Sequence, residues 1–200
     1  MSDPTRPAPS LPRRSRWREW RQRLAFWIGA LLVGLVALAF AWLADAAFAS
    51  FKRLLEWAPW SPLLITPLGF AALAYLTQRW FENAKGSGIP QVIAALEMPS
   101  RRLRARLLSL PVAAARMSLT LGALLVGGSV GREGPTVHIG AAVLYSFGRR
   151  LGLHGRSTIA GLVLAGGAAG IAAAFNTPLA GVVFAIEELS RTFEQRFSGL

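Results

Sequence analysis

From Leu24 to Ala44 the chain runs "LAFWIGALLVGLVALAFAWLA", twenty-one residues without a charge. A helix of that length crosses a hydrocarbon core of about 30 Å, and few soluble folds can bury so continuous an apolar surface. The pattern recurs. A second run extends from "WSPLLITPLGFAALAYL" to Thr77, and a third from Leu107 to Val130 with Arg116 as its one charge. A fourth runs uncharged from Thr158 to Ile186 and is interrupted at Asn176-Thr177-Pro178. Apolar residues make up 53% of the 200 and charged residues 16%, with a mean hydropathy of +0.41, which sets the chain apart from soluble domains.

The net charge of +12 lies at segment ends, not on one face. That distribution argues against a nucleic-acid-binding module, which needs a basic surface on a soluble fold. Residues 1–23 are Arg- and Pro-rich and read as a disordered, basic, cytoplasmic tail ahead of a membrane domain over 24–200. The first apolar run is too long for a cleaved signal. "RRLRAR", Arg101 to Arg106, forms a second basic cluster, which the positive-inside rule places on the same side. With no cysteine in the chain, disulfides, thiolate metal sites and thiol catalysis are excluded. No metal or cofactor is called for.

The first apolar segment is bulky and suits a lipid-facing surface. Those after residue 110 are rich in Gly and Ala, with Gly166 and Gly170 one turn apart, so they suit close helix–helix packing. Three helices that look too short to span follow a Gly or Asn turn and a proline: "QVIAALEM" after Pro90, "TVHIGAAVLYSFG" after Pro135 and "LAGVVFAIEEL" after Pro178. Proline fits a first helical turn, where its missing N–H would be unpaired anyway. Helices broken at membrane depth survive only against protein or a water-filled cavity.

These breaks carry the chemistry. In "KGSGIPQV", Lys85 to Val92, the helix start offers unpaired N–H groups and the positive end of a dipole, with the Ser87 hydroxyl as a further donor. A plain loop-to-helix turn is the bland alternative. In "GREGPTV", Gly131 to Val137, Glu133 stands in the mouth of such a start. A carboxylate there can occupy the anion's place, and protonation removes its attraction, so it is suited to gate. The bland alternative is a structural Arg132–Glu133 pair. "AAAFNTPLAGVVFAIEEL" ends in Glu187-Glu188, and acids are disfavoured at a helix C-terminus, which makes a proton-accepting role at the membrane edge worth weighing. Arg116 either finds buried partners or sets a positive potential for anions.

Together these stretches resemble the CLC family of chloride channels and proton-coupled chloride transporters. The family marks its anion pathway with GSGIP, G(K/R)EGP and a final GxFxP. The first two stand here as Gly86-Ser87-Gly88-Ile89-Pro90 and Gly131-Arg132-Glu133-Gly134-Pro135, and the likeness runs from about Leu24 to Arg191. It implies an all-α integral membrane protein with broken and tilted helices, this chain supplying one of two inverted-topology halves. It further implies chloride as the transported ion, no cofactor, a homodimer in a bilayer, and the inner (plasma) membrane of a bacterium as location. Ser87, with Gly88 and Ile89, would hold the central chloride. Backbone N–H groups of Arg132, Glu133 and Gly134 would line the outer site, Glu133 being the gate. The second acid of the "EE" pair, here Glu188, takes protons in the family's antiporters, beside Glu187. Channel members usually carry an apolar residue there, so the resemblance favours Cl−/H+ antiport over a passive voltage-gated channel.

GxFxP and the family's second-half chloride-coordinating Tyr are absent, the two tyrosines being Tyr75 and Tyr145. The expectation is therefore an N-terminal half, with a non-transporting remnant as a further alternative. From another class, Gly127-Gly128-Ser129-Val130-Gly131 matches G-x-S-x-G, with His138 nearby. An intramembrane serine hydrolase using Ser129 needs a strand before the serine and a positioned acid–His pair.

Overall fold

A computed structural model describes residues 16–190. Among them there is no strand: the chain is all helix joined by short turns. The helices are α1 (Arg16–Trp57), α2 (Pro62–Arg79), α3 (Ile89–Glu97), α4 (Arg101–Leu107), α5 (Leu110–Leu125), α6 (Glu133–Arg150), α7 (Arg156–Phe175) and α8 (Pro178–Phe184). A 3₁₀ turn, Glu82–Ala84, precedes α3, and a π turn, Ala185–Ser190, continues α8. Residues 1–15 of the basic tail lie outside the described residues, and residues 16–23 are the first turns of α1.

Trp20–Trp57, Arg101–Leu125 and Arg156–Phe175 are long and apolar enough to cross a membrane. At 1.5 Å per residue, the 42 residues of α1 extend about 63 Å, well beyond a hydrocarbon core. Its outer face leaves Trp27, Leu31, Leu38 and Trp42 exposed, and α2 exposes Leu63, Leu64 and Leu68. Apolar side chains at such density belong against lipid or another protein surface, in keeping with the bulk of the first apolar segment.

At the centre stands α6. Every residue from Gly134 to Ala142 is buried, enclosed by α1, α3, α5 and α7. Glycine is what admits α7 so closely: a Cβ on Gly140 would collide with the Gly166 carbonyl, one on Gly166 with the Gly140 carbonyl, and one on Gly170 with the Thr136 carbonyl. The small-residue stripe is thus a backbone-to-backbone seam.

The helix after Pro135 is longer than its proline suggests, though it is not among the described helices long and apolar enough to cross a membrane. Glu133-Gly134-Pro135 already form the first turn of α6, and the helix continues through Arg149-Arg150, giving 18 residues and about 27 Å. The other two breaks are short as read: α3 has 9 residues and α8 has 7. Between α7 and α8, Asn176 takes a left-handed conformation at φ 54°, which ends α7 before Pro178 opens the next helix.

Basic residues gather at one end of the bundle. An Arg21 guanidinium nitrogen from α1 lies 2.6 Å from where a Cβ on Gly152 would sit, just past the end of α6. Arg101 of α4 donates to the His154 carbonyl in the same loop (3.3 Å). Arg149 and Arg150 end α6, and Arg156 begins α7. The N-terminus of α6, with Glu133, is about 27 Å of helix away.

Candidate anion site and its family

The GSGIP and GREGP segments lie 45 residues apart in sequence and meet in space. Gly88, at φ 112°, caps α3, with Pro90 in the first turn. That conformation suits glycine, and so does the space: an added Cβ would lie 2.7 Å from the Gly134 carbonyl oxygen, 2.8 Å from the His138 Cβ and 3.0 Å from Arg116 Nη1. In return, a Cβ on Gly134 would collide with the Ser87 carbonyl oxygen and lie 3.0 Å from the Ser87 Cβ. The starts of α3 and α6 therefore touch, bringing Ser87, Gly88 and Ile89 to Glu133 and Gly134. Each start leaves backbone N–H groups without intrahelical partners and adds its share of positive dipole. Ser87 is exposed and Ile89 half-buried at this junction.

Glu133 is half-buried, and its carboxylate folds back over Gly131, where an added Cβ would strike Oε2. No described residue gives it a hydrogen bond or an ion pair. The alternative of a structural Arg132–Glu133 pair is ruled out by where Arg132 goes. Its Nη1 lies 2.7 Å from Asp45 Oδ1 on α1 and donates more weakly to the Ala41 carbonyl at 3.4 Å. Arg132 anchors the loop before α6 to α1 and leaves the glutamate alone.

Arg116 has the partners that one of its two readings requires. It is 2% exposed, donates Nη1 to the Gly86 carbonyl (2.7 Å), and directs Nη2 at the Asn83 and Lys85 carbonyls (3.3 and 3.4 Å). A guanidinium fork of this kind holds the turn that presents Ser87. No described carboxylate neutralises it, so its charge remains beside the junction.

An open groove of about 640 Å³ runs from this junction along α7 and α8. Ile89, Glu133 and Glu187 are among its walls, with Ile171, Phe175 and Phe184 supplying apolar surface. Glu187 and Glu133 thus border one groove. Glu188, next along the π turn, is exposed and outside that lining.

The Ser129 alternative lacks its frame. Ser129 lies in an exposed non-helical stretch between α5 and α6, with no strand before it among the described residues. The Nε2 of His138 is 2.9 Å from the Leu107 carbonyl, which can only accept, so that nitrogen carries the proton and faces α4. Neither the nucleophile elbow nor the serine–histidine pair is present among the described residues.

Compared with known families, the chain matches the voltage gated chloride channel family over residues 68–200, about two thirds of its length. The chain belongs to this family. Membership brings chloride transport as the general function, chloride as the transported ion and an integral membrane setting, in keeping with the apolar helices. It also agrees with the helical fold, strandless over the described residues.

Three contributors escape sequence reading. Asp45 reads as the end of an apolar run, and only the folded chain brings it to Arg132, 87 positions on. Arg104 is one of several arginines inside "RRLRAR", yet it is buried and donates Nε to the Ala95 carbonyl (2.8 Å) and Nη2 to that of Met98, satisfying the C-terminal end of α3. His138 enters the sequence reading only as a nucleophile's partner and proves to be a tie between α6 and α4. Bonds that reach across 31 or 87 positions leave no mark in local spacing. Arg104 alone carries a hint, because it stands shortly after a helix whose last carbonyls need donors.

Proposed function

We propose that the protein exchanges chloride for protons, with Glu133 as the gate and Glu188 as the proton acceptor. The observation that carries the reading is the meeting of the α3 and α6 starts around a glutamate without a partner among the described residues. Chloride would be held by backbone N–H groups of Ser87, Gly88 and Ile89 and of Arg132, Glu133 and Gly134, helped by the Ser87 hydroxyl and the nearby Arg116 charge. The charged carboxylate of Glu133 competes for the same positive potential. Once protonated it loses that attraction and yields the place to the anion. Lower pH on the side that Glu133 faces therefore favours chloride entry.

Proton exchange needs a second acid reached from the opposite side. Glu188 is exposed on the π turn, and its neighbour Glu187 borders the groove that Glu133 also lines. In liposomes carrying the complete gene product, an imposed chloride gradient should drive proton movement against its own gradient. Glu188→Val should stop the protons and leave chloride flux. Proton movement that persists in this variant rejects Glu188, and chloride flux without protons in the unaltered protein makes it a passive channel. A homodimer in the bilayer is part of the same proposal; a monomer of unaltered transport activity would remove it.

A further inference from the structure

At the basic end of the bundle, away from the Glu133 junction, a small pocket of about 90 Å³ opens between α4, the end of α6 and the loop that follows it. Arg101, Arg104, Arg149 and His154 line it, with Tyr145 and Ile159. Its volume is about that of three waters, enough for one tetrahedral phosphate group. No described carboxylate pairs with Arg101, Arg104 or Arg149. Arg104 is 7% exposed and spends Nε and Nη2 on α3 carbonyls, while its Nη1 has no acceptor among the described residues. Arg101 is braced by the His154 carbonyl, and Arg149 lies over the Tyr145 ring, 5.8 Å from its centroid. Three guanidinium groups are thus held around one concavity, and no described carboxylate bonded to them balances their charge.

Directly beside it lies a second, open cleft of about 380 Å³, which shares Tyr145 and Arg149 as walls and adds Leu108, Leu110 and Pro111 together with Ser109, Ser146 and Arg150. A charged pocket beside a cleft whose walls are apolar at Leu110 and Pro111 and carry a further arginine, at the end of membrane-spanning helices, matches a molecule with an anionic head and a hydrocarbon chain. We propose that this site binds the phosphate of an anionic phospholipid, with Arg101, Arg104 and Arg149 on the headgroup and Leu110 and Pro111 along the start of an acyl chain. Basic pockets between helix ends are suited to such headgroups. The proposal is independent of whether transport is coupled to protons.

The test is native mass spectrometry of the complete gene product exchanged into mixed phosphatidylcholine and phosphatidylglycerol, with lipid retention counted per chain. Phosphatidylglycerol should be retained preferentially. Arg101→Gln and Arg149→Gln should each weaken that retention about fivefold, the effect of removing one cation near a headgroup. Arg149→Lys should restore most of it, which separates charge from misfolding. Arg53→Gln, an equal charge change near the far end of α1, should change nothing. Equal losses for Arg53→Gln and Arg149→Gln overturn the site. Retention of inorganic phosphate that phosphatidylglycerol does not displace overturns the lipid as its source.

Discussion

The carboxylate of Glu133 lies over Gly131 because there is no side chain beneath it. An alanine at 131 meets only the movable end of the glutamate, so Gly131→Ala should alter stability by no more than about 1 kcal/mol. It should nevertheless push the carboxylate off its place and raise chloride flux at alkaline pH, measured in liposomes against the unaltered protein. Arg116 invites the opposite contrast. Its fork holds the carbonyls of Asn83, Lys85 and Gly86, so Arg116→Met removes part-buried, charge-assisted bonds, at about 1–3 kcal/mol in all. A clear drop in the thermal unfolding midpoint in detergent is expected. Arg116→Lys should recover only part, since one ammonium cannot reproduce the fork; full recovery would reduce Arg116 to a bare charge. Much at this scale is legible in the chain, because Gly and Pro around Ser87 and Glu133 announce helix starts locally. Partnership is not. Arg132 chooses Asp45 over its own neighbour because α1 passes beside the loop, and a contact across 87 positions has no signature in local spacing.

Among the elements, the α6–α7 seam sets the geometry that α3 then meets. Gly166→Ala places a methyl group on the Gly140 carbonyl, and backbone cannot give way as a side chain can. The cost should reach about 3 kcal/mol, at the upper end for overpacked sites. Gly34 of α1 provides the matched control: an added Cβ there meets nothing within 4 Å. Gly34→Ala should be neutral or stabilise by up to about 1 kcal/mol through helix propensity. Denaturation in detergent distinguishes the two, and equal effects would mean that the seam is not where α7 docks. The spacing of Gly166 and Gly170 makes this packing legible, while its partner helix is not. The length of α6 misleads for a related reason. Pro135 looks like a first residue, but proline is accepted anywhere in a first turn, and Glu133 precedes it in the helix.

For the whole molecule, apolar runs without charge point to a membrane protein, and the signature segments to its family, before any helix is placed. The convergence of those segments is a property of the fold alone. It puts two helix starts, a glutamate without a partner among the described residues and a buried arginine at one junction, with the arginines that end α6 about 27 Å of helix away. The proposed gating role of Glu133 has a pH dependence of defined sign: a neutral side chain there no longer competes with the anion, so chloride flux should rise as pH falls. The most direct measurement records chloride and proton fluxes together in liposomes carrying the complete gene product, with and without Glu133→Gln. The account predicts that the unaltered protein couples the two and responds to pH, and that Glu133→Gln loses both the coupling and the pH response. Protons that still move with chloride in Glu133→Gln, with the same pH response, would contradict it.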